Sequence, residues 1–146
     1  LSYIVAYAQG LHLLAEADKE MEFGLDMETI ARIWRGGCII RADMLEDIRK
    51  AYDRNPKLVN MIQDDYFSQE INDNQPALRE LLHQGMGRGI PLLAFSTVLQ
   101  YVDAFRSARL PLNLTQAQRD FFGSHTYERV DREGIFHTDW DGDGIS

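Results

Sequence analysis

Two side chains suited to binding a phosphate stand close together near the carboxyl end of the chain. Arg119 and His125 lie within the run Gln118-Arg119-Asp120-Phe121-Phe122-Gly123-Ser124-His125-Thr126-Tyr127. A guanidinium fork takes two phosphate oxygens at once, and an imidazole beside a hydroxyl adds further donors. Six residues apart on an unbroken helix, the two side chains would point about 240° away from each other. Only a bend at Gly123 would let them converge, and glycine permits one. A plainer reading of the same residues is a surface Arg-Asp pair and a histidine capping a helix end.

Other candidates have simpler structural readings. Trp34-Arg35-Gly36-Gly37-Cys38-Ile39-Ile40-Arg41 carries two arginines that would suit an anion, but paired glycines between helices also make a packed corner. Cys38 has no neighbour that would activate its thiol and reads as a small buried hydrophobe. In Asp139-Trp140-Asp141-Gly142-Asp143-Gly144, the carboxylates of Asp139, Asp141 and Asp143 fit the opening of a calcium loop. The bidentate acid of the twelfth place is missing, so a polar terminus is the simpler expectation. His12, His83, His125 and His137 include no pair at helical spacing, so no metal site is expected. Gly85-Met86-Gly87-Arg88-Gly89 follows a helix pattern rather than a strand, which argues against dinucleotide binding by this segment.

The elements that must position these residues are helical. Apolar residues recur at three- and four-residue steps over residues 2–23, with Ile4, Tyr7, Ala8, Leu11, Leu14, Ala15 and Met21 on one face. Asp26 is placed to cap a second helix bearing Ile30, Ile33 and Trp34, and a third is expected over residues 39–52. A helical stretch over residues 58–69 precedes Asn72-Asp73-Asn74-Gln75-Pro76, which reads as the most polar linker, with Pro76 opening the next helix. Leu92, Phe95, Val98, Leu99, Val102 and Phe105 make the stripe of another helix, and Tyr66 and Tyr101 read as core residues. Thr115-Gln116-Ala117-Gln118 has capping-box form, opening a helix over residues 115–122. The fold expected is all-α, with about six or seven helices over residues 1–123. Strand signals are nearly absent, and residues 124–146 read as an extended tail whose Tyr127, Ile135, Phe136 and Trp140 need a surface to pack on, either a partner subunit or the tail's own domain.

Composition narrows the function classes. The 146 residues carry 15 Lys and Arg against 23 Asp and Glu, a net charge of −8 that repels nucleic acid and anionic lipid. No apolar run is long enough to span a bilayer and no secretory leader opens the chain, so a cytoplasmic location is expected. The lone cysteine excludes an intrachain disulfide. The first residues already follow the helical pattern without an initiator methionine, as if cut from a longer polypeptide.

At Leu114-Thr115-Gln116-Ala117-Gln118-Arg119-Asp120-Phe121-Phe122-Gly123-Ser124-His125-Thr126-Tyr127-Glu128 the chain resembles the carboxy-terminal signature of the 6-phosphogluconate dehydrogenase family. Tyr7-Ala8-Gln9-Gly10, the Trp34 to Arg41 block, Gly89-Ile90-Pro91 and Phe136-His137-Thr138-Asp139-Trp140 resemble that family's blocks in the same order. Phe121 stands where the family usually has tyrosine, Ser124 where it has alanine and Leu78 where tryptophan is common.

The resemblance implies roughly the last third of an NADP-dependent, decarboxylating enzyme. NADP and the catalytic base and acid would then belong to the part upstream, so no catalytic residue is expected here and the segment alone would be inactive. It further implies a homodimer in which residues 124–146 reach the partner subunit, where Arg119 and His125 hold the phosphate of 6-phosphogluconate. A reading from another class is a non-catalytic helical interaction module, which the absence of cofactor and proton-transfer residues would equally suit.

Overall fold

The computed structural model describes residues 1–40 and 42–142, and these form two compact units, Leu1–Arg106 and Ser107–Ser146. The first contains α1 (Ser2–Met21), α2 (Met27–Ile33), α3 (Met44–Arg54), a 3-10 turn (Met61–Gln63), α4 (Asp65–Gly87) and α5 (Leu93–Phe105). The second contains α6 (Asn113–Gly123) and two short strands, β1 (Tyr127–Glu128) and β2 (Ile135–Phe136). The all-α expectation holds, with six α-helices among the described residues.

In the first unit α1 packs on α5 and the 3-10 turn, α2 on α3, and α4 on α5 and the same turn. The stripe read from α1 is the buried one for Ile4, Tyr7, Ala8 and Leu11, joined by Val5. Met21, in the last turn, is 62% exposed. Asp26 caps α2 as expected, accepting the Thr29 N–H at 3.1 Å. Asn60 is a fully buried polar side chain: it accepts from the Ile62 N–H at 3.0 Å and donates to the Tyr101 hydroxyl at 3.0 Å. Those bonds tie the 3-10 turn to α5 and offset the cost of burying an amide.

Five local expectations are corrected. The third helix starts at Met44 rather than residue 39, and Ile39 is fully exposed. The polar run Asn72 to Pro76 is the solvent face of α4, not a linker: Ile71 and Leu78, two helical turns apart, are both buried. Gln69 and Asp73, and Asn74 and the Glu70 carbonyl, bond across single turns there, at 2.7 and 2.8 Å. Tyr66 is 47% exposed rather than core, and Cys38 is half-buried rather than sealed. The proposed capping box is not at a helix start, because α6 begins at Asn113.

The glycine-rich run ends α4 rather than starting a nucleotide-binding turn. Gly89 takes φ 68°, and the Ile90 and Gly89 N–H groups return to the Gly85 and Met86 carbonyls at 2.9 and 3.1 Å. Gly85 is buried beneath Leu92, whose Cδ1 would lie 2.3 Å from an added Cβ, so a larger residue there would make the Leu92 side chain shift. At the Trp34 corner Arg35 pairs with Glu46, and Arg49 bridges Glu46 and Glu28 at 3.0 and 3.1 Å. Arg41 lies outside the described residues.

Candidate functional site

α6 carries Arg119 and ends four residues later at Gly123. The turn that follows is made by Ser124 (φ 51°) and Thr126 (φ 60°), not by Gly123. Left-handed conformations cost an ordinary residue about 1–2 kcal/mol each, so neighbouring bonds must hold this segment. The Ser124 and His125 N–H groups return to the Asp120 and Arg119 carbonyls at 2.8 and 3.5 Å. The backbone at His125 thus returns to the last turn of α6, which carries Arg119, and both residues are exposed. The His125 ring lies over Gly123, where an added Cβ would meet its Cδ2 at 3.4 Å.

Asp120 does not pair with Arg119 on the surface; it is fully buried. Its Oδ1 accepts the Thr126 N–H at 2.9 Å and His137 Nδ1 at 2.8 Å. Its Oδ2 accepts the Thr138 N–H at 3.0 Å and Trp140 Nε1 at 2.9 Å. Burial pushes this carboxyl up, but the bonds from His137, Thr138 and Trp140 and the charge of the imidazole outweigh that and hold it at about 2. Since a carboxylate only accepts, His137 donates from Nδ1.

Gln116, one turn before Asp120, takes the other backbone group of the same residue: its Nε2 donates to the Thr126 carbonyl at 2.6 Å. Its Oε1 accepts from Arg119 Nη1 at 3.2 Å. One amide thus touches both the segment after His125 and the guanidinium of Arg119. Further along, β1 and β2 pair antiparallel, Tyr127 with Phe136 and Glu128 with Ile135. The Tyr127 hydroxyl meets Thr138 Oγ1 at 2.8 Å. Trp140 closes edge-on against Phe121, with ring centroids 5.9 Å apart. The segment after Gly123 is therefore folded onto α6 with a short ladder of its own, where the sequence showed little strand signal.

Sequence reasoning named Arg119 and His125 as candidates and missed the bonds that Asp120 makes beside them with Thr126, His137, Thr138 and Trp140, and that Gln116 makes with Thr126 and Arg119. The available signal was an acid on the same helix as Phe121 and Phe122, followed by an imidazole, a hydroxyl and an indole seventeen to twenty residues on. At the Asp139 turn, Oδ1 accepts the Gly142 N–H at 2.9 Å, and Asp143 and Gly144 lie outside the described residues. Among the described residues no group of three His, Cys, Asp or Glu side chains is arranged to hold a metal ion.

The sequence model of the 6-phosphogluconate dehydrogenase C-terminal domain matches residues 1–140. This chain belongs to the 6-phosphogluconate dehydrogenase family. It is 52% identical over 139 residues to the decarboxylating 6-phosphogluconate dehydrogenase of Synechococcus elongatus, covering 95% of the chain and 30% of that protein. To the NADP(+)-dependent, decarboxylating enzyme of Bacillus subtilis it is 49% identical over 140 residues, 96% of the chain and 30% of the relative. Among solved structures, the 6-phosphogluconate dehydrogenase of Plasmodium falciparum, described in apo form and with NADP+ and with 6-phosphogluconate, superposes with a TM-score of 0.87 at 50% identity. That match covers 94% of this chain and 29% of the other. The chain thus spans about 30% of the length of the curated relatives it matches.

Proposed function

We propose that the chain is the helical carboxy-terminal part of a decarboxylating, NADP-dependent 6-phosphogluconate dehydrogenase of the cytoplasm, and that Arg119 and His125 clamp the phosphate of its substrate. The observation that carries the clamp is local. Both side chains are open to solvent at the end of α6, while the acid between them in sequence is occupied in folding the tail. An exposed guanidinium and imidazole without that carboxylate in competition suit a dianionic phosphate.

In this reading residues 1–123 belong to a helical domain and residues 124–146 form the tail that reaches the partner subunit of a homodimer, at whose active site Arg119 and His125 hold the phosphate. The enzyme oxidises 6-phosphogluconate to a 3-keto acid, which loses carbon dioxide and is protonated to ribulose 5-phosphate. NADP, when bound, supplies the hydride acceptor. The binding of NADP and the proton transfers belong, in this reading, to the part of the enzyme outside this segment. What this chain contributes is position: a phosphate held away from the reacting carbons orients the sugar.

The test is Arg119→Ala in the intact enzyme. The Michaelis constant for 6-phosphogluconate rises about ten- to a hundredfold, while that for NADP stays put. An equal effect on both constants, or on neither, contradicts the clamp.

A further inference from the structure

The phosphate clamp has two members, and only one of them sits on a regular element. Arg119 is set by α6, but His125 lies in the turn between Ser124 and Thr126, both left-handed. The helix alone does not determine where its imidazole goes. The Thr126 peptide groups, however, are gripped on both sides, N–H by Asp120 Oδ1 at 2.9 Å and C=O by Gln116 Nε2 at 2.6 Å. The same Asp120 holds His137, Thr138 and Trp140, so the far end of the tail is closed on the same carboxylate.

Resting on the phosphate reading above, we propose that Asp120 is a positioning residue for the clamp: by holding the Thr126 N–H in its left-handed turn, its carboxylate fixes the course of the chain at His125 relative to Arg119 on α6. Gln116 acts with it by holding the carbonyl of the same residue, and steadies Arg119 through its Oε1. Asp120 itself does not touch the substrate, because its oxygens are out of solvent and taken by four donors. The arrangement converts one buried acid into the relative placement of two exposed cationic or donor groups. A purely structural acid would support the tail without coupling to His125.

The experiment is steady-state kinetics of the intact enzyme for Asp120→Asn, His125→Ala, the double variant, Gln116→Ala and Arg119→Ala. An asparagine keeps the shape but loses acceptor capacity. Asp120→Asn is expected to raise the Michaelis constant for 6-phosphogluconate about tenfold, with kcat and the constant for NADP within about twofold. Added to His125→Ala it changes the substrate constant less than about twofold, because the placement it provides has lost its object. A full, independent factor in the double variant, or a parallel change in kcat and both constants, overturns the proposal. Should Asp120→Asn fail to fold by circular dichroism, Gln116→Ala reads the grip on the same residue, Thr126, without leaving donors stranded on a buried carboxamide. A rise of about threefold confined to the substrate constant supports the proposal, and a wild-type constant overturns it. If Arg119→Ala also leaves the substrate constant unchanged, the phosphate reading falls and this one with it. If Arg119→Ala raises it while Asp120→Asn and Gln116→Ala do not, only the positioning role falls.

Discussion

In Leu1–Arg106 the side chains sealed from water include Phe67, Leu11, Leu45, Ile48 and Met61, whereas among the described residues of Ser107–Ser146 the sealed side chain is a carboxylate. The large apolar groups of the second unit are mostly open: Phe122 is 78% exposed and Phe121, Val130 and Ile135 are also exposed. Apolar burial is non-directional and tolerates small shifts of one helix on another. Four hydrogen bonds converging on Asp120 are directional and admit one register of the tail. A forty-residue unit has little interior to build from apolar atoms. The comparison therefore shows a core that supplies stability beside a polar clasp that supplies placement.

The largest expected effect tests the first half of that contrast. Phe67→Ala removes a fully buried ring from the core of the first unit and costs about 3–5 kcal/mol in urea unfolding. Phe122→Ala, at an exposed position of the second unit, costs no more than about 0.5 kcal/mol in the same experiment. Equal costs would break the contrast.

A pH titration sharpens the second half. The folded Asp120 carboxyl sits at about 2, below its ordinary 3.8, so the unfolded tail binds the proton more readily. The clasp therefore contributes fully above about pH 4 and is lost as pH falls from there through about 2. With Trp34→Phe leaving Trp140 as the single tryptophan, its fluorescence should report that transition. The helical signal of the first unit serves as the reference. An Asp120→Asn variant showing the same acid transition in Trp140 would assign it elsewhere.

The smallest effect probes the exception inside the apolar core. The Tyr52 hydroxyl is buried with no partner among the described residues, and burial raises its pKa to about 12. Tyr52→Phe should be neutral or stabilising, by up to about 1 kcal/mol in thermal or urea unfolding, because it removes a polar group that gains nothing inside. A loss of stability would mean that the hydroxyl has a role in the core.

The legibility of each region follows the same division. The α1 stripe and the Asp26 cap were readable because helical period and capping depend on residues three or four apart. The Asn72 to Pro76 run misled for the converse reason: its polarity is real, but it lies on a helix whose Ile71 and Leu78, on either side of it, are packed inside. At the candidate site, Arg119 and His125 announced themselves by type. Asp120 did not, because a carboxylate beside an arginine looks like its surface partner until its four donors, up to twenty residues away, are seen.

By itself the sequence determined that this chain is helical and where most helices lie, and its motifs pointed to the 6-phosphogluconate dehydrogenase family. Those are properties of local spacing and of whole blocks in order. Only the tertiary structure decided that the bend falls at Ser124 and Thr126, that Asp120 faces inward, and that the tail closes on α6. The reason is physical: a buried charge is tolerated only where distant donors converge on it, and convergence in space leaves no fixed spacing in sequence.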